Sequence, residues 1–213
     1  MAITSEPDNL TNDPTPVITG TSSLGSTPLT VSIGGASYTA VPDSNGNWAL
    51  DTGTATPAEG TFSPNLNGTN TVVASLVSPA GTTVSATQNL VIDTTAPIIT
   101  ITSIAGDTVT ASSNGTFDLP ERGFDNTSYT LNNTVTTLPV ISGTTDAEVG
   151  RTVTVTLNGA EYSGVVASGG SGNTWSITVP DVAARALNHG NTYAVTARVT
   201  DAAGNDGSDT NNG

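Results

Sequence analysis

The chain has no cysteine and a single histidine. A disulfide framework and a thiolate metal site are therefore excluded, and a zinc centre has almost no ligands to draw on. Aromatic residues make up 4% and charged residues 10% of the 213 residues, so the chain is either disordered or built of strands with polar outer faces. Cations are scarce: 4 Lys plus Arg stand against 18 Asp plus Glu, for a formal net charge of -14. Such a chain repels a phosphate backbone, which argues against nucleic acid as a partner. The same acidity suits solubility, and it suits oxygen ligation of a hard cation. No apolar run reaches the roughly 18 residues that spanning a bilayer requires, so no direct membrane insertion is expected. Met1-Ala2-Ile3-Thr4 does not resemble a signal peptide.

What the chain does contain is Thr, Ser, Gly, Asn and Val in a repeated order. Pro16-Val17-Ile18-Thr19-Gly20-Thr21 reappears as Pro139-Val140-Ile141-Ser142-Gly143-Thr144, and Asn45-Gly46-Asn47-Trp48 as Gly172-Asn173-Thr174-Trp175. Pro79-Ala80-Gly81 corresponds to Ala202-Ala203-Gly204. Three landmarks in one order, at a period too long for a solenoid, predict two tandem domains of one fold. Within each copy apolar and hydroxyl residues alternate as half-buried strands require. Val153, Val155 and Leu157 are expected inside, with Thr152, Thr154 and Thr156 outside. Leu29, Val31 and Ile33 repeat the pattern, as do Val72, Ala74 and Leu76, and Tyr193, Val195, Ala197 and Val199. One short helix is conceivable after Pro180, over Asp181-Val182-Ala183-Ala184-Arg185-Ala186-Leu187, with Asp181 as N-cap. Trp48 and Trp175 each follow a Gly-Asn turn. Their matching positions predict core packing in preference to a sugar-stacking platform.

Between the copies lies Asp93-Thr94-Thr95-Ala96-Pro97, a short linker in which Pro97 donates no ladder hydrogen bond and biases Ala96 toward an extended conformation. The predicted domains are 1-93 and 94-213, the second with an inserted segment near 114-133. The final strand of the second domain is expected to be cut short by Gly213.

Taken together, these motifs resemble the tandem bacterial immunoglobulin-like repeats in the extender regions of giant RTX-type surface adhesins. The carriers are Asp8-Asn9-Leu10-Thr11-Asn12-Asp13 leading into Pro16 to Thr21, the Asn-Gly-Asn-Trp turn, the linker, and Val199-Thr200-Asp201-Ala202-Ala203-Gly204-Asn205. The resemblance implies an all-β chain of two tandem antiparallel Ig-like β-sandwich domains, secreted to the bacterial cell surface. It further implies a stalk, commonly stiffened by calcium, that projects a distal adhesion domain. One departure concerns the first copy, where Ser78-Pro79-Ala80-Gly81 replaces Asp201-Ala202-Ala203-Gly204. A calcium site built on that aspartate is not expected at the top of the first domain.

In an Ig-like sandwich, the loop Asp146-Ala147-Glu148-Val149-Gly150 and the loop Asp201 to Asn205 are expected at the top of the second domain, beside Asp93. Two like charges about 4 Å apart cost roughly 1 kcal/mol in water and about 4 at an effective dielectric near 20. Only Arg151 is close in sequence to offset them. Calcium accepts six to eight oxygen ligands in flexible geometry and is the expected ion, through Asp93, Asp146, Glu148, Asp201 and Asn205. Asp8 and Asp13 are candidates from the first domain, with Asp125, Asn126 and Asn133 as their counterparts in the second. The alternative is that these acids shape turns: Asp201 in an Asx-turn, Asp146 solvated, Asp93 a strand terminator. Asp43, Asp51 and Asp118 read as ordinary turn or surface acids.

The leading functional expectation is a structural extender of a surface adhesin, a monomer whose partners are neighbouring Ig-like repeats of its own chain. The alternative is a ligand-binding module for carbohydrate or a host protein. That reading would use Tyr38, Tyr162 or Phe124, or the insertion bearing Phe117, Phe124 and Tyr129. An enzyme is not expected, since no phosphate loop or calcium β-roll nonapeptide occurs and His189 sits in an Asn-His-Gly turn.

Overall fold

Wherever hydroxyl and branched apolar side chains alternate, one face of the backbone can be buried and the other solvated, and these stretches are strands. A computed structural model of the chain describes residues 1–5, 9–105, 140–180 and 193–211. It divides into two units, Met1–Thr95 and Ala96–Gly213. Among the described residues every regular element is a strand. The expected insertion near 114-133 with Phe117, Phe124, Asp125, Asn126, Tyr129 and Asn133, the helix after Pro180, and Asp8, Asp118 and His189 lie outside the described residues.

The first unit pairs two sheets. One contains β1 (Ala2–Ile3), β3 (Val17–Thr21) and β6 (Asn47–Asp51), in that order. The other runs β2 (Leu10–Thr11), β9 (Thr83–Asp93), β8 (Asn67–Val77), β4 (Leu29–Ile33), β5 (Ala36–Ala40) and β7 (Glu59–Gly60). All pairings are antiparallel except β2 on β9, where Leu10 faces Val91 in parallel register. The antiparallel sandwich expected from the sequence is present, with this one two-residue parallel edge where β2 lines the last strand.

The second unit repeats the plan. Strands β10 (Ile99–Ala105), β11 (Val140–Thr145) and β14 (Asn173–Thr178) form one sheet. The other contains β13 (Ala160–Val165), β12 (Thr152–Leu157), β15 (Val195–Thr200) and β16 (Asp206–Asn211). The order β9-β8-β4-β5 thus recurs as β16-β15-β12-β13, and β3-β6 as β11-β14. The last strand, expected to be cut short, is a six-residue strand that pairs along β15 from Thr200↔Asp206 to Val195↔Asn211.

Each unit has its own core. Ile18, Leu29, Val31, Trp48, Val72 and Ile92 lead the first, and Ile141, Val153, Val155, Trp175, Ala197 and Val199 the second. Both tryptophans are buried and occupy equivalent strands, Trp48 opposite Gly20 and Trp175 opposite Gly143. That pairing explains the glycine in the repeated Val-Ile-Thr/Ser-Gly-Thr motif. A Cβ on Gly143 would lie 2.6 Å from Trp175 Cζ2 and clash with the Thr100 carbonyl; one on Gly20 would meet the Trp48 ring and the Ala2 carbonyl. The indole packs against the neighbouring strand at a point that only glycine leaves bare.

Candidate functional site

Five-residue loops of the form Asp-x-x-Gly-Asn, or its Ser and Thr variant, close two hairpins and one crossing between sheets. Asp201 to Asn205 joins β15 to β16. Its Asp201 Oδ1 accepts the Gly204 and Asn205 amides, both at 2.8 Å, and Oδ2 accepts Asn205 Nδ2 at 3.0 Å. Asp43 to Asn47, joining β5 to β6, uses Oδ1 for the Asn45 and Asn47 amides at 2.8 Å and Oδ2 for Asn47 Nδ2 at 3.3 Å. Ser78 to Thr82, joining β8 to β9, substitutes a hydroxyl that accepts the Thr82 amide at 3.2 Å. In all three the first amide donates to the fifth carbonyl, at 3.0, 2.8 and 2.8 Å respectively, and the glycine has positive φ. The exchange of Asp201 for Ser78 between the copies is therefore a change of acceptor within one loop type.

Electrostatics follow from these bonds. The Asn47 amide above all holds the Asp43 carboxyl below the ordinary aspartate value; desolvation opposes it, and the Asn47 side chain and the Asn45 and Gly46 amides each add a lesser lowering. Asp201 differs from its counterparts in burial: it is 7% exposed, whereas Asp43 is exposed and Ser78 half-buried. A buried carboxylate needs partners, and the loop supplies three. Beside it, Glu148 Oε2 accepts the Ala202 amide at 3.0 Å and faces Arg151 Nε at 3.4 Å. The structure thus ties the loops 146–150 and 201–205 together through Glu148, and Arg151 offsets one of their charges.

The other candidate ligands have separate tasks. Asp146 Oδ1 accepts the Ile98 amide at 2.6 Å. Asp93 Oδ1 accepts the Thr95 amide at 3.0 Å. Asp13 Oδ1 takes the Thr15 amide at 2.8 Å and its hydroxyl at 3.2 Å. Asp13 and Asp93 belong to the first unit; Asp146, Glu148, Asp201 and Asn205 belong to the second. Among the described residues no group of three His, Cys, Asp or Glu side chains is placed to hold a metal ion. Ionised carboxylates keep further lone pairs beyond the bonds they make, so Asp201 and Glu148 remain oxygen donors. A shell of six to eight would require carbonyls and water beyond them.

The ligand-binding alternative loses one of its residues. Tyr38 is buried, not exposed, and Phe62 from the connection between β7 and β8 packs edge-on against it with ring centroids 6.4 Å apart. Tyr162 is half-buried against the second core.

Two asparagines stand out in the structure without having been singled out in the sequence. Buried Asn70 accepts the Asn65 amide at 2.7 Å and donates to the Asn65 and Gly68 carbonyls at 2.9 and 3.1 Å, pinning the turn into β8. Asn67 Oδ1 accepts the Thr94 amide at 3.0 Å. An asparagine a few residues ahead of the apolar alternation that begins at Val72 is the only signal either leaves in the sequence.

This arrangement defines a pair of β-sandwich repeats. No family model matches the chain, and no curated protein does. Among solved structures it is similar to a tetra-tandem repeat from the extending region of a large adhesion protein, at 20% identity and TM-score 0.36, covering 100% of this chain and 47% of that one. It is also similar to a Ca2+-stabilised adhesin with which an Antarctic bacterium reaches out and binds ice, at 27% identity and TM-score 0.44, covering 99% and 46%. A third is a 1.5-MDa bacterial ice-binding adhesin studied for its retention at the host cell surface, at 24% identity and TM-score 0.40, covering 99% and 63%. The chain therefore spans about half to just under two thirds of the length of these solved chains.

Proposed function

We propose that the chain is a structural extender, a stalk segment of a bacterial surface adhesin that projects a distal adhesion domain for attachment to a surface or within a biofilm. One observation carries the reading: a single strand order, with the same glycine and tryptophan facing each other in it, occurs twice in succession. Each unit closes on its own core, so repeats add length without depending on a neighbour to fold. A sandwich with strands of roughly ten residues spans on the order of 35 Å. The resemblance of the linker and loop motifs to adhesin extenders supports the same reading. On this reading the protein acts outside the cell, at the bacterial surface, as a monomer whose partners are adjoining Ig-like repeats of its chain.

Calcium is the proposed ligand, through Asp93, Asp146, Glu148, Asp201 and Asn205, with Asp13 and Asp8 as further donors. What supports it is an acidic chain with almost no imidazole and no sulfur, and a buried Asp201 tied to a loop that bears Glu148. An ion that binds only the folded arrangement stabilises it by about 2.7 kcal/mol at one hundred times its dissociation constant. Calorimetric titration of the whole chain with calcium tests this directly. Binding heat that Asp201→Ala abolishes, with a melting temperature that chelator lowers, is the expected result. No heat and an unchanged melting temperature would leave these acids as loop closures alone.

A further inference from the structure

Shortness by itself does not stiffen a linker, because each unrestrained residue still carries two soft dihedrals. In this chain the linker residues are restrained one after another, each by its own unit. On the first unit, Asn67 Oδ1 accepts the Thr94 amide at 3.0 Å, the Thr94 hydroxyl at 3.3 Å and the Thr95 hydroxyl at 3.0 Å. The Leu66 carbonyl also accepts the Thr94 amide and hydroxyl, at 3.3 and 3.4 Å, and Asp93 caps the Thr95 amide.

On the second unit, Ile98 is gripped at both backbone polar groups. Its amide donates to Asp146 Oδ1 at 2.6 Å, while its carbonyl accepts the Thr145 hydroxyl at 2.8 Å and the Asp146 amide at 3.1 Å. Pro97 is buried, its φ is fixed by the ring, and its carbonyl sits where a side chain on Gly207 would have to go. Ala96 stands between the two sets. It is exposed, makes no hydrogen bond among the described residues, and is biased to extended backbone by the following proline.

We propose that two side-chain clamps, Asn67 on Thr94 and Thr95 and the Thr145-Asp146 pair on Ile98, reduce the joint between the units to a single-residue pivot at Ala96, and that they act without any metal ion. Asn67 serves because one amide oxygen can accept several donors at once. Asp146 serves through an acceptor oxygen, which an asparagine would also supply. The clamps stand whether or not calcium binds at the acids, so their failure and that of the calcium reading are separately visible.

The test uses the whole chain in chelator. Because the protein has no cysteine, Thr39→Cys and Ser208→Cys, both at exposed positions, give two unique spin-label sites whose distance distribution reports the joint. A distribution no wider than rotation at Ala96 alone allows is expected. Asn67→Ala and Asp146→Ala should each broaden it, whereas Asn67→Asp and Asp146→Asn, which keep an acceptor, should retain it. Circular dichroism checks that each variant is folded. In the parent protein, amide exchange should be slowed at Thr94, Thr95 and Ile98 and fast at Ala96, a reading that needs no variant to fold. A distribution indifferent to both alanine variants, or exchange at Thr94 and Ile98 as fast as at Ala96, would overturn the proposal.

Discussion

The two units bury the same indole in the same place and satisfy it differently. Trp175 Nε1 donates to the Thr144 carbonyl at 3.3 Å, whereas the Trp48 Nε1 proton finds no acceptor among the described residues. The first unit also buries the Tyr38 hydroxyl without a partner among those residues, while its counterpart Tyr162 is only half-buried. What the repeat holds constant is shape: a glycine left bare on one strand, an indole packed against it, and a fixed strand order. Hydrogen bonding is free to differ because a close-packed core is set first by volume, and an unpaired donor is tolerated at a cost of about 1–3 kcal/mol.

The largest effects should come from the shared feature. Trp48→Ala and Trp175→Ala should each destabilise their own unit by about 3–5 kcal/mol, and Gly20→Ala or Gly143→Ala should be severe as well, since backbone and ring both block the added methyl. Chemical unfolding with separate reporters in each unit checks this. If either tryptophan variant melts at the parent temperature, the glycine and tryptophan pair is not the centre of the core.

A smaller loss is expected at Asn70, which belongs to the first unit alone. Asn70→Ala strands the Asn65 amide and should cost that unit about 1–3 kcal/mol in urea titration. An unchanged midpoint would mean that solvent replaces all three bonds at no cost.

Tyr38 carries the comparison in the opposite direction. Tyr38→Phe removes an unpartnered hydroxyl and should raise the stability of the first unit by about 1 kcal/mol, while Tyr162→Phe should be neutral. Burial also raises the Tyr38 pKa. Its contribution to stability is complete below the ordinary tyrosine value and is lost as pH climbs through the raised one, so the first unit should weaken in alkali and the phenylalanine variant should not. Alkaline melting curves that coincide for parent and variant would refute this.

The smallest effect is acidic. The Asp43 pKa is lowered, so its contribution is present above the ordinary aspartate value and fades as pH falls through the lowered one. Asp43→Ala should flatten the acid limb of the first unit's stability curve. A limb as steep as the parent's would assign that slope to other carboxylates.

Much of the architecture was readable before any coordinates. Leu29, Val31 and Ile33 alternate with hydroxyl residues, as do Val153, Val155 and Leu157, and all six are buried as period-two reading requires. The repeated glycine and the repeated tryptophan were each visible. Their contact was not, because it is made across strands that the sequence keeps far apart. Tyr38 packs against Phe62, which arrives from a connection with no periodicity of its own. An Asx-turn was the alternative to calcium at Asp201, and the equivalence of Asp43, Ser78 and Asp201 lies in their hydrogen bonds and not in their letters. Asn67 was illegible as a linker clamp, since nothing local connects it to Thr94 and Thr95.

If two independently folded sandwiches serve as a stiff spacer, residual dipolar couplings of the whole chain will report it. In calcium, the couplings of both units should fit one common alignment tensor. Two unrelated tensors of different magnitude, the same in calcium as in chelator, would describe freely tumbling beads on a tether and would contradict the account.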